Sequence, residues 1–239
     1  MTADISDAPG CAAAAIRHPV NRDVQRMTEK FGRLALHMWT IDTTPLATAL
    51  DAARVAGYDA VELRRTDFKR CFDAGMSNKD VLDLIRKSGI PVGVLGVEYG
   101  WLFATGDESK RLFNAFRESC ENAVELDCRM LMSAPGPVKG PVSEAIKNLR
   151  QAGDIAAEYD LKLAIEFNSQ HPVLNKLPVL RELLDGAGKE NCGYLIDAYH
   201  FTRSGAGGLA GLAYIVRQRE EHRCGLSGRL GEREDAGAW

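Results

Sequence analysis

Leu161-Lys-Leu-Ala-Ile-Glu-Phe-Asn168 is the stretch on which the architecture turns. In an extended chain Leu161, Leu163, Ile165 and Phe167 point one way, and Ala164, Glu166 and Asn168 point the other. Apart from Lys162 at its start, both faces are apolar until the last three residues, the pattern of a parallel strand covered on both sides. The polar groups gather at its C-terminal end.

Working outward, similar short apolar runs occupy residues 34–40, 60–65, 92–98, 129–134 and 193–199. Helical periods separate them, with start signals at Thr44-Pro45 and at Ser77-Asn-Lys-Asp80, where Asp replaces the usual Glu of a capping box. The spacing predicts long helices over 107–125 and 142–159. A further helix over 177–184 is expected to stop at Gly186 and Gly188. Such alternation means an all-parallel sheet with helices outside. No GxGxxG or GxxxxGK[ST] follows any strand, which weakens an open nucleotide-binding sheet. Acidic and polar residues instead stand at the ends of several strands: Glu62, Glu98, Glu166 with Asn168, and Asp197 with His200. That favours an α/β fold of the (β/α)8 barrel type, whose chemistry sits at the C-terminal mouth. About six βα units are visible, so the barrel is expected to be incomplete.

Three zones follow: residues 1–30, a disordered extension; 31–205, the truncated barrel domain; and 206–239, an atypical Gly/Arg-rich tail. Eight of the 23 glycines fall in residues 205–239, and no lysine follows Lys189. The apolar run 209–216 suits a short helix, but no later strand is visible, and the tail reads either as native or as the product of a frameshift.

Composition narrows the function. The chain has 239 residues, 45% hydrophobic and 26% charged, with a formal net charge of -3. Nothing in that balance supports nucleic-acid binding, and no apolar run approaches the roughly 18 residues that span a bilayer. Six cysteines without CxxC or zinc-like spacing read as reduced thiols, and the acidic start has no signal-peptide character, so a cytoplasmic location is expected.

Glu166 would project into the barrel mouth, where a lone carboxylate is costly to desolvate unless a cation or a basic partner relieves it. Asp197 shares an inward face with Leu195 about 30 residues later, and His200 lies three residues on. Hard oxygens with imidazole suit a divalent metal such as Mn, Mg, Co or Zn. His37 with Trp39, and Glu62 and Glu98, are candidates to face a substrate. Tyr99, Trp101 and Phe103 suit an apolar lid or a loop packed on its own helix. Ser133 has no base partner and the cysteines no pairing histidine, so nucleophilic catalysis finds no support.

The motifs Glu166-Phe-Asn-Ser and Asp197-Ala-Tyr-His-Phe-Thr-Arg-Ser-Gly, after the opening Leu34-Ala-Leu-His-Met-Trp-Thr, resemble the sugar phosphate isomerase/epimerase family, the xylose isomerase-like barrel group. The resemblance covers about residues 33–205. It implies a barrel holding one divalent metal through Glu, Asp, His and Glu of the last four strands. Glu166 matches the first metal Glu and the catalytic base, Asp197 the metal Asp, and His200 a substrate contact; Arg203 becomes a candidate anion or hydroxyl contact. Asn168 belongs to the same strand-end motif. The last two ligands have no match on a strand pattern, since His222, Glu232 and Glu234 fall in the tail. Endonuclease IV, of the same group, would need three metals and more than the five histidines present.

What the resemblance implies is an isomerase or epimerase of a small keto sugar or polyol, acting through enediolate proton transfer. A lyase dehydrating an inosose or a dehydroshikimate-like compound is the enzymatic alternative. A non-catalytic remnant with two open sheet edges is the other. A small-molecule substrate is the expected partner, and a homo-oligomer is compatible with the sequence.

Overall fold

The computed structural model describes residues 33–205. Six parallel strands form one sheet in sequence order: β1 (Ala35–His37), β2 (Ala60–Arg64), β3 (Val92–Gly96), β4 (Met130–Ser133), β5 (Lys162–Glu166) and β6 (Cys192–Leu195). Every neighbouring pair is joined by a helical crossover, so the chain winds in one sense and leaves helices on one face. The helices are α1 (Leu46–Ala56), α2 (Arg65–Asp73), α3 (Asn78–Ser88), α4 (Gly106–Glu125), α5 (Val142–Glu158), α6 (Leu177–Ala187) and α7 (Ala198–Arg203). Val61, Leu63, Leu95, Leu131, Leu163 and Ile165 turn toward these helices and are buried. They meet Leu50, Phe68, Ile85, Phe116, Leu149 and Leu180 in a single apolar core.

The register aligns the opposite face. His37 stands beside Glu62, Met132 beside Ala164, and Glu166 beside Leu195. Glu62 and Glu166 lie three strands apart, which on a flat sheet is about 14 Å. The charges of both carboxylates reach the Tyr99 phenol, which the connection after β3 carries between them. Among the described residues β1 and β6 each pair on one side only, so six consecutive strands of the barrel are present and the wall is open between them.

The strands are shorter than their apolar runs. Residues 38–41 form a 3-10 turn after β1, and α7 claims Ala198 and Tyr199 because Asp197 caps it, its Oδ1 accepting from the His200 amide at 2.7 Å. The Ser77 capping box forms as expected, with Asp80 N–H on Ser77 Oγ at 3.2 Å and Ser77 N–H on Asp80 Oδ2 at 3.0 Å. Thr44 does not cap α1; Pro45 takes the cap position, and no side chain bonds to the helix end. Gly186 does not stop α6 but lies inside it, where a Cβ would come within 2.6 Å of Ile146 Cδ1 on α5. Gly188, at φ 61°, ends the helix.

Helix α2 had no predicted counterpart. Its apolar face is only Phe68, Cys71 and Phe72, and it is held instead by Arg64 and Asp67. Trp101 and Phe103 form no lid. They are buried beneath α4 and α5, with Trp101 Nε1 donating to Ser133 Oγ at 2.9 Å. The expected extension 1–30 and tail 206–239, with the run 209–216, lie outside the described residues, as do residues 31–32 of the expected domain.

Candidate active site

Two chain segments build the site at the C-terminal ends of β5 and β6. Strand β5 delivers Glu166 on its last residue, with Ile165 and Phe167 locked in the core on either side. After β6, Asp197 doubles as the cap of α7, so the first helical turn carries His200 back over its carboxylate. Among the described residues Glu166, Asp197 and His200 form one group whose ligand atoms all lie within 4.8 Å of one another.

The electrostatics are those of an uncompensated anionic pocket. Burial, followed by the charges of Asp197 and Glu62, pushes the Glu166 carboxyl up to about 7. No lysine or arginine is among the groups acting on it. Two carboxylates so close, with the half-buried Glu166 lacking a cationic partner, are a donor set suited to a divalent cation, and the His200 imidazole stands beside them. Asp197 has one oxygen engaged as the helix cap, which orients the other.

His200 is oriented by a residue to which the sequence assigned no role. Ser169 N–H donates to His200 Nδ1 at 3.3 Å, and Ser169 Oγ lies 3.0 Å from the same nitrogen. With Nδ1 accepting a backbone N–H, the ring proton sits on Nε2, and His200 presents a donor rather than a second lone pair. Ser169 follows Glu166-Phe-Asn directly, and its position at the loop start was the available signal.

The other expected residues divide. On the far wall Glu62 is also pushed up to about 7 by burial, against the pull of the Arg64 charge. Its Oε1 lies 3.4 Å from His37 Nε2, and His37 is held below its usual value, first by burial and then by the Arg64 charge. The pair is therefore a contact with a neutral imidazole at pH 7, not an ion pair. Asn168 shapes the loop: its Oδ1 accepts from Gln170 N–H at 2.9 Å. Glu98 is not brought to this group; it pairs with Arg111 of α4 at 2.8 Å, because the strand has ended at Gly96 and the chain has turned outward. Arg203 is exposed at the end of α7 and lies along Tyr199, its Nη1 donating to the phenol oxygen at 3.0 Å. The pairing at i and i+4 holds it on the outer face of the helix.

Ser133 is fully buried and bonded to Trp101 and the Ala134 carbonyl, as befits a packing residue. Cys71, Cys120, Cys128 and Cys192 are free thiols, the first three buried. No described helix is long and apolar enough to cross a membrane.

Three comparisons bear on this arrangement. The sequence profile of the xylose isomerase-like TIM barrel family matches residues 50–227. An inosose isomerase of Halalkalibacterium halodurans is 23% identical over 178 residues, covering 70% of this chain and 62% of that protein. This chain thus spans under two thirds of the curated relative's length. Among solved structures, the IolI protein with a binding zinc atom superimposes with a TM-score of 0.62 at 22% identity, over 75% of this chain and 67% of the other. The probable 3-DHS dehydratase AsbF of Bacillus anthracis gives 0.64 at 14% identity, over 77% and 70%.

Proposed function

The chain belongs to the xylose isomerase-like TIM barrel family, and from that premise we propose that it is a metal-dependent isomerase or epimerase of a small keto sugar or polyol. The observation that carries this reading is the half-buried Glu166 carboxylate, without a cationic partner, beside Asp197 and His200. Glu166 and Asp197 would hold a divalent cation, with Mn, Mg, Co and Zn all suited to the donors. The cation would polarise a carbonyl and its neighbouring hydroxyl as a Lewis acid.

The chain's own residues supply the rest. Glu166 removes the proton from the carbon beside the carbonyl and returns it to the neighbouring carbon on the same face, whereas epimerisation needs a second acid on the opposite face. His200 donates its Nε2 proton to the substrate oxygen that gains charge as the proton leaves, with Ser169 fixing the ring. Glu62 and His37 line the opposite wall, where they meet hydroxyls distant from the reacting carbon. Asn168 contributes by holding the loop that carries Ser169. The free thiols among the described residues accord with a reducing, cytoplasmic setting.

The test is solvent exchange. With Mn2+ present, an inosose or D-fructose incubated in D2O should take up deuterium at the carbon beside the carbonyl, and Glu166→Gln should abolish it. Metal-dependent loss of water without exchange would support the lyase instead. No turnover of any kind would support the remnant.

A further inference from the structure

Tyr99 stands in the same interior as the two raised carboxylates, yet the proposed function gives it no role. The segment that carries it is unusually well fixed. Trp101, two residues on, is fully buried and bonded to Ser133, and Asn148 Nδ2 donates to the carbonyls of Trp101, Leu102 and Ala104 at 3.0, 3.1 and 3.0 Å. Gly136, at φ 71°, presses its backbone against the same turn: a Cβ there would lie 2.9 Å from Tyr99 Cβ and 2.7 Å from Gly100 N. The backbone from which the ring projects is therefore held in place.

The phenol meets a poor partner. Its hydroxyl lies 3.6 Å from Met132 Sδ, and a thioether is a weak acceptor. Met132 reaches this point because Gly96 on β3 has no side chain; a Cβ there would come within 3.3 Å of the sulfur. A phenylalanine would fill the same space without bringing a polar group indoors. The hydroxyl also remains a donor at any working pH, since burial and the charges of Glu166 and Glu62 push it up to about 12.

We propose that Tyr99 is a substrate-binding residue whose fixed O–H donates to an oxygen of the polyol, selecting a substrate that carries oxygen at that position over one that carries only hydrogen. The donor stands on the wall between β2 and β5, so it reads an oxygen lying between the groups met by Glu62 and by Glu166. This inference rests on the sugar or polyol reading of the site. It adds a specificity determinant on a loop fixed before any ligand arrives.

The experiment is calorimetric titration of the Mn2+-loaded chain and of Tyr99→Phe with an inosose, with D-fructose, and with monodeoxy analogues lacking one hydroxyl at a time. Tyr99→Phe should weaken binding of the parent polyol about tenfold, the loss of one hydrogen bond to a buried oxygen, while leaving Mn2+ affinity unchanged. In the wild type, one monodeoxy analogue should show the same weakening, and it should bind the variant no more weakly than the wild type. The wild-type part of that comparison, parent polyol against analogue, needs no variant to fold. Equal binding of the parent polyol by both proteins would overturn the role of Tyr99 and leave the proposed function standing. Loss of Mn2+ affinity in Tyr99→Phe would assign the residue to packing and also overturn it. A wild type that takes up Mn2+ but none of the polyols would overturn this inference together with the substrate class on which it rests.

Discussion

Two strand ends in this protein each gather two acids from different elements, and they treat them oppositely. At the end of β2, Arg64 reaches Asp67 at 2.6 Å and Asp42 at 2.6 Å, and Arg70 adds a contact to Asp42 at 2.9 Å. Hydrogen bonds from Arg70 and Arg64 hold Asp42 down at about 2. At the ends of β5 and β6, Glu166 and Asp197 converge with no arginine, and Glu166 is pushed up to about 7. The first region spends its charges on fixing the start of α2. The second leaves them uncompensated, which lowers stability unless something else binds.

The comparison predicts opposite outcomes for removing a charge. Arg64→Ala, which strands the buried Asp67 carboxylate, should cost about 3–5 kcal/mol in urea unfolding. Glu166→Gln should instead stabilise the metal-free chain at pH 8, by at most about 3 kcal/mol. If both variants lose stability, the contrast between the two ends is broken.

Titration sharpens the same point. Glu166 and Glu62 are raised in the fold from 4.5 to about 7, so each binds more protons folded than unfolded. Their contribution is fully present below pH 4.5 and is lost as pH rises to about 7. Asp42 is lowered from 3.8 to about 2, so its contribution is present above 3.8 and is lost as pH falls through 2. Metal-free unfolding free energy should therefore decline between pH 4.5 and 7. A Glu62→Gln, Glu166→Gln double variant should flatten that decline while leaving the acid limb intact.

Smaller effects test the frame. Gly136→Ala should cost about 1–3 kcal/mol, because the left-handed backbone and the contact with Gly100 both resist a side chain. Ser77→Ala, at an exposed cap, should cost about 1 kcal/mol. Both are read from thermal or urea unfolding, and a larger loss for Ser77 than for Gly136 would reverse the expected order.

Much of the fold was legible because buried parallel strands and amphipathic helices leave periodic apolar traces. Leu161 to Asn168 announced both the β5 strand and the polar groups at its end, and Ser77 to Asp80 announced α3. What escaped was set by tertiary contact. Helix α2 depends on an arginine at its cap and a short apolar face, so its charged sequence carried no period. Gly186 looked like a stop because composition cannot reveal that Ile146 of α5 fills the space beside it. At the site, Glu166, Asp197 and His200 were legible as strand-end polar groups. The turns of Glu98 to Arg111 and of Arg203 to Tyr199 depend on where the chain leaves the sheet. Ser169 was visible as a letter but not as a partner, since its role exists only once α7 brings His200 across.

The measurement that bears most directly on the central claim is calorimetric titration of Mn2+ into the wild type and Glu166→Gln across pH 6 to 8. The account predicts a saturable site in the wild type that tightens as pH rises through about 7, with proton release, and a loss of about 100-fold or more in the variant. Binding of equal strength in both proteins, without pH dependence, would contradict it.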